Sequence, residues 1–383
     1  MKVFHICLSC FYIDEFSYQE NELVKQHVKD GHDVTVVAST EVFDQKRKLS
    51  YCSPGTYLGT DGAKVVRLPY RNFLPHFVMK KLRMHPGLRQ MLEDGSPDVI
   101  LFHGLCGWEL LTVSSYCKDN PGVIFNVDSH EDYHNSAKTF VSKYVLHKLY
   151  YRVIVQQCLK AIGRVLCVTP DTEFFVRKMY GVPKSETEFF PLGGELFNDE
   201  VYQQRRSRFR DKLVVSGQTI VVSQTGKMGK LKKLTDSLEA FINVVGNDEN
   251  FLFVIAGEIG GEIEASIGKM IEGRSNVRVL GWQNVEEMRD LICGTDLYLQ
   301  PGTQSSSMQM SLCARCPVIL NDLSNHKPYV NDNGWLVRSR TDIERAFEEV
   351  ISDSAILEKM SESSYAIASK LLDYKSLASR VLR

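Results

Sequence analysis

The sequence predicts an α/β protein of two tandem domains, each a doubly wound parallel sheet, facing a central cleft. Three observations carry this expectation. Short β-branched runs alternate with amphipathic helices, the alternation stops and restarts once near residue 195, and 383 residues suffice for two domains of ordinary size. Apolar residues make up 43% of the chain and charged residues 24%, which excludes a disordered or fibrous protein.

Lys2–Leu8 reads as the first strand and Tyr18–Lys29 as a helix with Leu23, Val24 and His27 on one face. Asp30-Gly31-His32 stops that helix, and Asp33–Ala38 is the next strand. Lys64–Leu68, Val99–Phe102, Val123–Val127 and Arg164–Val168 continue the series. Strands separated by helices pair in parallel through crossovers. After Pro191-Leu192-Gly193-Gly194 and a polar, Arg-rich stretch from Asn198 to Lys212, the pattern begins again. Thr219–Ser223, Phe251–Ala256, Val277–Leu280, Asp296–Leu299 and Val318–Leu320 read as strands, and Thr235–Val245 as a helix. The expected division is therefore a Rossmann-like domain over 1–195, a second over 196–365, and a final helix in 366–383 packing back toward the first. Ligands of open α/β sheets bind beyond the carboxyl ends of the strands, so the expected site is the cleft between the two domains.

Lys and Arg total 46 against 47 Asp and Glu, a net charge of -1, so the surface as a whole is not a nucleic-acid footprint. No apolar stretch reaches the length of a bilayer span. Met1-Lys2 leads straight into a strand with no signal-peptide cleavage site, which makes the cytoplasm the expected compartment. Ten cysteines, many inside apolar runs, fit reduced core-filling thiols. The CxxC pairs Cys7/Cys10 and Cys313/Cys316 would hold zinc only if opposite ends of the chain converged.

The second half carries the stronger chemical signals. Gln224-Thr225-Gly226-Lys227-Met228-Gly229-Lys230-Leu231-Lys232-Lys233 joins a strand to a helix, and glycines beside clustered lysines at a helix start suit a pyrophosphate. The order is not that of a Walker loop, and a solvated basic turn gives the same letters. Further on, strand Asp296–Leu299 runs into Gln300-Pro301-Gly302-Thr303-Gln304-Ser305-Ser306-Ser307 and a helix from Met308 to Ala314. Small residues at that helix start leave its amides open to phosphate oxygens, while an ordinary Ser N-cap is the competing reading. In the first half, Asp128-Ser129-His130-Glu131-Asp132-Tyr133-His134 follows a strand and reads, from the residues alone, as a metal site or a polar turn. His103, after Val99–Phe102, is a cleft-facing candidate or a structural histidine. The Ser9–Gln19 loop offers Phe11, Tyr12, Phe16, Tyr18 and Gln19 as an acceptor surface or as core.

Taken in this order, these residues resemble the retaining glycosyltransferases of the family-4 type, which have the GT-B fold. The resemblance spans essentially the whole chain. Asp30-Gly31-His32-Asp33-Val34-Thr35-Val36 is similar to the family's opening, and Val168-Thr169-Pro170, Tyr180-Gly181-Val182-Pro183 and Phe190-Pro191-Leu192-Gly193 to its domain junction. Ala256-Gly257, Leu280-Gly281-Trp282 and Asp296 are similar to its nucleotide-binding half. The resemblance implies an acceptor-binding first domain and a second that binds a nucleotide-diphosphate sugar, with no cofactor and no metal. Lys227 and Lys232 take the place of the family's basic pair on the donor diphosphate, with Lys for the usual Arg at 227, which keeps the charge and loses the bidentate fork. Gly226, Gly302, Thr303, Gln304, Ser305, Ser306 and Gln309 become donor contacts, His130 the histidine at the donor sugar, and His103, Tyr18 and Gln19 acceptor contacts. The chain departs from the family where a Glu pair usually precedes the Pro-Val strand: the second Glu falls at or near Met310, beside Gln309, and the first has only Gln304 nearby.

Arg71–Leu92 holds Arg71, Lys80, Lys81, Arg83 and Arg89 without an acidic residue, and Leu74, Phe77, Val78 and Leu82 recur at helical spacing. Such a segment suits an anionic membrane surface, and equally a solvated helix packed on its own domain. The resulting expectation is a retaining, metal-independent transferase acting on a glycan acceptor, lipid-linked, in cell-surface polysaccharide synthesis at the inner face of the plasma membrane. A non-hydrolysing sugar-nucleotide epimerase and a catalytically silent nucleotide-binding subunit are the alternatives.

Overall fold

The computed structural model describes residues 1–44, 48–303 and 305–383. The chain divides into two compact units, Met1–Pro191 with Tyr374–Arg383, and Leu192–Asp373. The boundary thus falls four residues before the expected 195. The expected final helix over 366–383 is two: Ile356–Leu371 stays with the second unit and only Tyr374–Val381 belongs to the first.

Among the described residues the first unit contains ten strands: β1 (Lys2–Cys7), β2 (Asp33–Ser39), β3 (Glu41–Phe43), β4 (Leu49–Tyr51), β5 (Gly55–Leu58), β6 (Lys64–Leu68), β7 (Val99–His103), β8 (Ile124–Ser129), β9 (Arg164–Cys167) and β10 (Thr187–Phe189). Eight form one sheet in the order β10-β9-β8-β7-β1-β2-β6-β5, parallel except for β5 on β6, and β3 pairs with β4 in a separate antiparallel ribbon. β1 and β7 are buried almost throughout because helices cover both faces of a parallel sheet, which is why they read as largely apolar runs without alternation, interrupted by His5 and ending in His103. The sheet is completed from far away in sequence. Leu377, Ala378 and Val381 of helix Tyr374–Val381 pack on Val3, Leu23, Val99 and Phe190.

The second unit is a six-stranded parallel sheet of β11 (Ile220–Thr225), β12 (Phe251–Ala256), β13 (Val277–Gly281), β14 (Leu297–Gln300), β15 (Val318–Asn321) and β16 (Gly334–Val337). Its order, β13-β12-β11-β14-β15-β16, places the change of winding direction between β11 and β14. Phe241 packs edge-on against Phe253 (5.2 Å) and Phe347 (5.8 Å) in its core. The Arg-rich stretch is helix Asp199–Lys212, capped by Asn198, whose Oδ1 accepts from the Val201 amide at 2.9 Å. Charge fastens this helix: Asp296 accepts from Arg206 (2.5 Å), Arg210 (2.9 Å) and the Val221 amide (2.8 Å), and Arg205 meets Asp290 at 2.7 Å.

Candidate active site

In the second unit the two loops singled out by sequence leave the adjacent strands β11 and β14 and meet. The Thr303 amide donates to Leu231 O (3.0 Å), and Lys232 Nζ donates to Thr303 O (2.7 Å). Gln224, on β11, holds the Lys232 carbonyl at 2.8 Å. The contact needs glycine at 302, because a Cβ there would lie 2.1 Å from Leu231 O and 2.7 Å from Lys232 Cα. Partial burial pulls the Lys232 ammonium below the ordinary lysine range.

The serines after Gly302 are oriented by a hydroxyl network. Tyr298 OH bonds Thr225 Oγ1 (3.1 Å) and Ser307 Oγ (2.8 Å), while Ser305 Oγ donates to Gln300 Oε1 at 2.7 Å. With Ser305 so engaged, no side chain among the described residues caps the N-terminus of helix Ser306–Cys313, and its positive end faces the loop without an internal acceptor from Ser305. A cation and an open helix start at the point where the sheet changes direction form a phosphate-binding arrangement.

In the first unit the change of direction falls between β1 and β7, and there the chain builds a buried relay. His27 Nε2 lies 3.0 Å from the Ala378 carbonyl, His5 Nε2 2.9 Å from His27 Nδ1, and His103 Nε2 3.0 Å from His5 Nδ1. His103 Nδ1 lies 2.5 Å from Asp128 Oδ2. The terminal carbonyl can only accept, so each proton is assigned in turn: His27 and His5 are neutral and carry their protons on Nε2, which leaves His103 as the donor to both His5 and Asp128. The electrostatics agree. Burial lowers His27 to about 4, and burial with the two neighbouring imidazoles holds His5 well below the usual range. Burial would also lower His103, but the Asp128 carboxylate outweighs it and raises the imidazole to about 10. In the same way His103 overcomes the effect of burial on Asp128 and keeps that carboxyl well below its ordinary range. Asp128 Oδ1 accepts the Gly104 amide at 3.0 Å and lies 3.8 Å from His130 Nε2. Burial lowers His130, but the hydrogen bond and the charge of Asp128 together outweigh it and raise the pKa of that 41% exposed side chain.

Residues 20–193 match the model described as Glycosyl transferase 4-like domain, and residues 205–367 match Glycosyl transferases group 1. The chain belongs to the group 1 glycosyl transferases. No curated protein matches it in sequence. Among solved structures it is similar to HepE of Anabaena in complex with UDP (TM-score 0.64, 12% identity, covering 100% of this chain and 98% of that one). It is also similar to WaaG, a glycosyltransferase involved in lipopolysaccharide biosynthesis (0.58, 15%, 100% and 98%). A third likeness is to UDP-GlcNAc 2-epimerase from Neisseria meningitidis bound to UDP-GlcNAc (0.60, 13%, 100% and 99%). At these identities the structural likeness is one of fold, and the two parallel-sheet units of this glycosyl transferase are those of the GT-B fold.

Several expected contacts fall elsewhere. Lys227 is 81% exposed and lies 3.8 Å from Glu258, pointing to solvent instead of joining Lys232. Gln309 is buried at 2% exposure, inside helix Ser306–Cys313, because the helical repeat turns it to the core, while Met310 is half-buried. Gln304 lies outside the described residues. Gly226 follows β11 directly, with its amide on Ala256 O (2.9 Å), and Ser306 is exposed at the helix start. His103, 1% exposed, is an interior hub and not a surface contact. Gln19 is buried with Nε2 3.5 Å from Pro191 O, whereas Tyr18 is exposed. Asp128 faces His103 and His130, not Asp132 or His134, so the alternation at 128–134 is not a ligand set. Sequence reading missed His5 and His27. It also missed His326, a fully buried residue whose Nδ1 lies 2.8 Å from Asn321 O and whose basicity is lowered by burial and by the charge of Lys232. None of the three carries a motif.

The basic patch is largely committed internally. Lys80 pairs with Glu41 (2.7 Å), Arg89 with Glu93 (2.6 Å) and Asp119 (2.8 Å), and Arg83 turns inward. Arg71 and Lys81 remain at the surface.

Proposed function

We propose that this protein transfers a sugar, with retention of configuration, from a nucleotide-diphosphate donor to a hydroxyl of a glycan acceptor. The observation that carries the reading is the meeting of Lys232 with the Gly302 loop and the uncapped start of helix Ser306–Cys313. As the sugar–phosphate bond breaks, negative charge grows on the departing diphosphate. Lys232 and the helix-start amides would stabilise that charge more than the ground state, which is what accelerates the step. Because these groups neutralise the leaving group, the design does not call for a divalent cation. His130, held by Asp128, would bind the donor sugar and fix its orientation.

The similar structures named with UDP and UDP-GlcNAc put UDP sugars first among donors to test. Incubation with a panel of sugar nucleotides should give slow donor hydrolysis with one of them, and Lys232→Ala should slow it by about 100-fold or more. A panel with no hydrolysed or bound donor would sink the transferase reading. Nucleotide binding with no turnover in the presence of glycan acceptors would favour the silent subunit, and donor epimerisation the epimerase.

The lipid-linked acceptor and a place on the inner face of the membrane belong to the same proposal. Among the described residues no helix is long and apolar enough to cross a membrane, so docking would be peripheral. Phe73, Leu74 and Phe77 are exposed beside Arg71 and Lys81, and the neighbouring wide-turn helix Val141–Tyr151 exposes Val141, Tyr144 and Leu149. The two are joined by Tyr151 OH on Lys81 O (2.5 Å). No acidic residue occurs from Tyr133 to Pro170, whereas Lys138, Lys143, Lys148, Arg152, Lys160 and Arg164 do. Apolar anchors among basic residues favour an anionic bilayer. The protein should co-sediment with phosphatidylglycerol vesicles and not with phosphatidylcholine vesicles, and Phe77→Ser with Leu149→Ser should abolish this. Equal sedimentation with both vesicle types would contradict it.

A further inference from the structure

A cavity of about 540 Å³ lies wholly within the first unit, lined among others by Ser9, Lys81, Arg83, Glu131, Lys138 and His147. That volume suits a small-molecule ligand. At its wall stands Arg83, whose Nη1 is buried without a hydrogen-bond partner. Among the described residues no carboxylate oxygen lies within 4 Å of its guanidinium. An arginine buried in this way costs free energy unless something pairs with it.

The chain invests in placing this side chain. Arg83 ends the short helix His76–Leu82 with φ 53°, a left-handed conformation that an arginine adopts only when its surroundings hold it there. Tyr151 OH fixes the carbonyl of Lys81, while Tyr150 OH (3.2 Å) and the Trp108 amide (3.0 Å) fix that of Leu82. Gly107 makes room for the stem, since a Cβ there would lie 2.8 Å from Arg83 Cβ. The two acids at the cavity are already engaged. Glu41 takes Lys80 and the Tyr70 hydroxyl (3.1 Å), and Glu131 accepts from Ser129 and from the Cys106 thiol (3.1 Å). The charge left facing the cavity is positive, from Arg83, Lys81 and Lys138.

We infer that this cavity is a binding site for a phosphate group carried by the acceptor, next to Glu131 and therefore one residue from His130. Three cations, Lys81 and Arg83 from one helix and its end and Lys138 from a separate loop, suit a dianionic phosphate with oxygens in several directions better than a planar carboxylate. The inference rests on the transferase reading only for the word acceptor; the phosphate site stands on the cavity itself. The phosphate could be that of a free sugar phosphate or of the diphosphate link to a lipid, and the two are separated by the probes used.

Binding is measured by titration calorimetry in a Lys232→Ala background, so that the second unit's candidate diphosphate site is silent and no donor is needed. Glucose 1-phosphate, farnesyl-diphosphate-linked N-acetylglucosamine in detergent and methyl glucoside are the probes. The expected result is binding of one or both phosphorylated compounds, weakened about tenfold or more by Arg83→Gln. Methyl glucoside should be indifferent to that change. If only the soluble phosphate binds, the source is a free sugar phosphate; if only the farnesyl compound binds, it is the lipid link. Should Arg83→Gln fail to give the parent near-ultraviolet dichroism, the exposed pair Lys81→Ala and Lys138→Ala carries the test, with several-fold weaker binding expected. Binding of neither phosphorylated probe, or binding unchanged by these substitutions, overturns the assignment. Neither outcome bears on the donor panel, so the two proposals fail separately.

Discussion

At the scale of single residues, the His27–His5–His103–Asp128 relay makes the first unit sensitive to acid. His27 has a folded pKa of about 4 against 6.5 for the free side chain, so the unfolded chain binds more protons between those values. Stability from keeping His27 neutral is fully present above 6.5 and is lost as pH falls toward 4, on the order of 3 kcal/mol. His103 has the opposite sign: raised to about 10, it contributes fully below 6.5 and loses its contribution as pH climbs through 10. Gln at position 27 can donate to Ala378 and accept from His5 without titrating. His27→Gln is therefore expected to flatten the fall in unfolding free energy between pH 6.5 and 4, measured by denaturant titration. A slope equal to that of the parent would show that the relay is not what titrates. Sequence reading found His103 and His130 because each follows a strand, and it left His103 open between a substrate contact and a structural histidine; the structure buries His103 and leaves His130 41% exposed. The relay was invisible because its members, at 5, 27, 103 and 128, meet only through sheet order, and a lone histidine inside an apolar run looks like any core residue.

Secondary-structure elements were legible where burial leaves a periodic trace. β11 to β15 all appear in sequence as compact β-branched or aromatic runs, and the lysine and Gly-Ser loops were placed at the ends of the right strands. The exceptions share a cause, which is contact made by something other than apolar side chains. Helix Asp199–Lys212 was read as a polar stretch because it is anchored by Arg205, Arg206 and Arg210 to Asp290 and Asp296. β5, wholly exposed at a sheet edge, offers no alternation to detect. Lys227 and Lys232 looked equivalent in the letters, and only the turn between them decides that Lys232 alone reaches the Gly302 loop. That loop junction gives the prediction at this scale. Gly302→Ala drives a methyl into the backbone at Leu231, so the two loops must part. The expected cost is about 1–3 kcal/mol in unfolding stability, with loss of donor hydrolysis. An alanine variant with parental stability and turnover would show that the two loops can separate without consequence.

Across the whole molecule, both units bring their candidate groups to the place where the sheet reverses its winding, Lys232 and Gly302 between β11 and β14, His5 and His103 between β1 and β7. The tandem α/β pattern predicted this much. The sequence reading also directs a single final helix over 366–383 toward the first domain; in the structure only the last ten residues, Tyr374–Arg383, belong to the first unit, and Ile356–Leu371 stays with the second. Which residues of the first unit receive Leu377, Ala378 and Val381 is not written in the helix, since an amphipathic helix specifies a face and not its address. Deleting 374–383 would expose Val3, Leu23, Val99 and Phe190 and leave His27 without the Ala378 carbonyl. The first unit of that variant should unfold well below the parent in a thermal scan, while the second keeps its transition. A peptide of 374–383 added back should restore part of the loss, and a deletion with an unchanged first transition would refute this.

That last helix also fixes the order of events at the ribosome. Domains ordinarily mature in the sequence in which they emerge, the earliest first. Here the earliest-made half must wait, its β1 and first helix lacking a cover, until everything through Asp373 has been synthesised and the middle half has had its chance to fold. The first unit of a newborn chain is therefore most exposed to chaperones and proteases until Tyr374–Arg383 emerges and latches it.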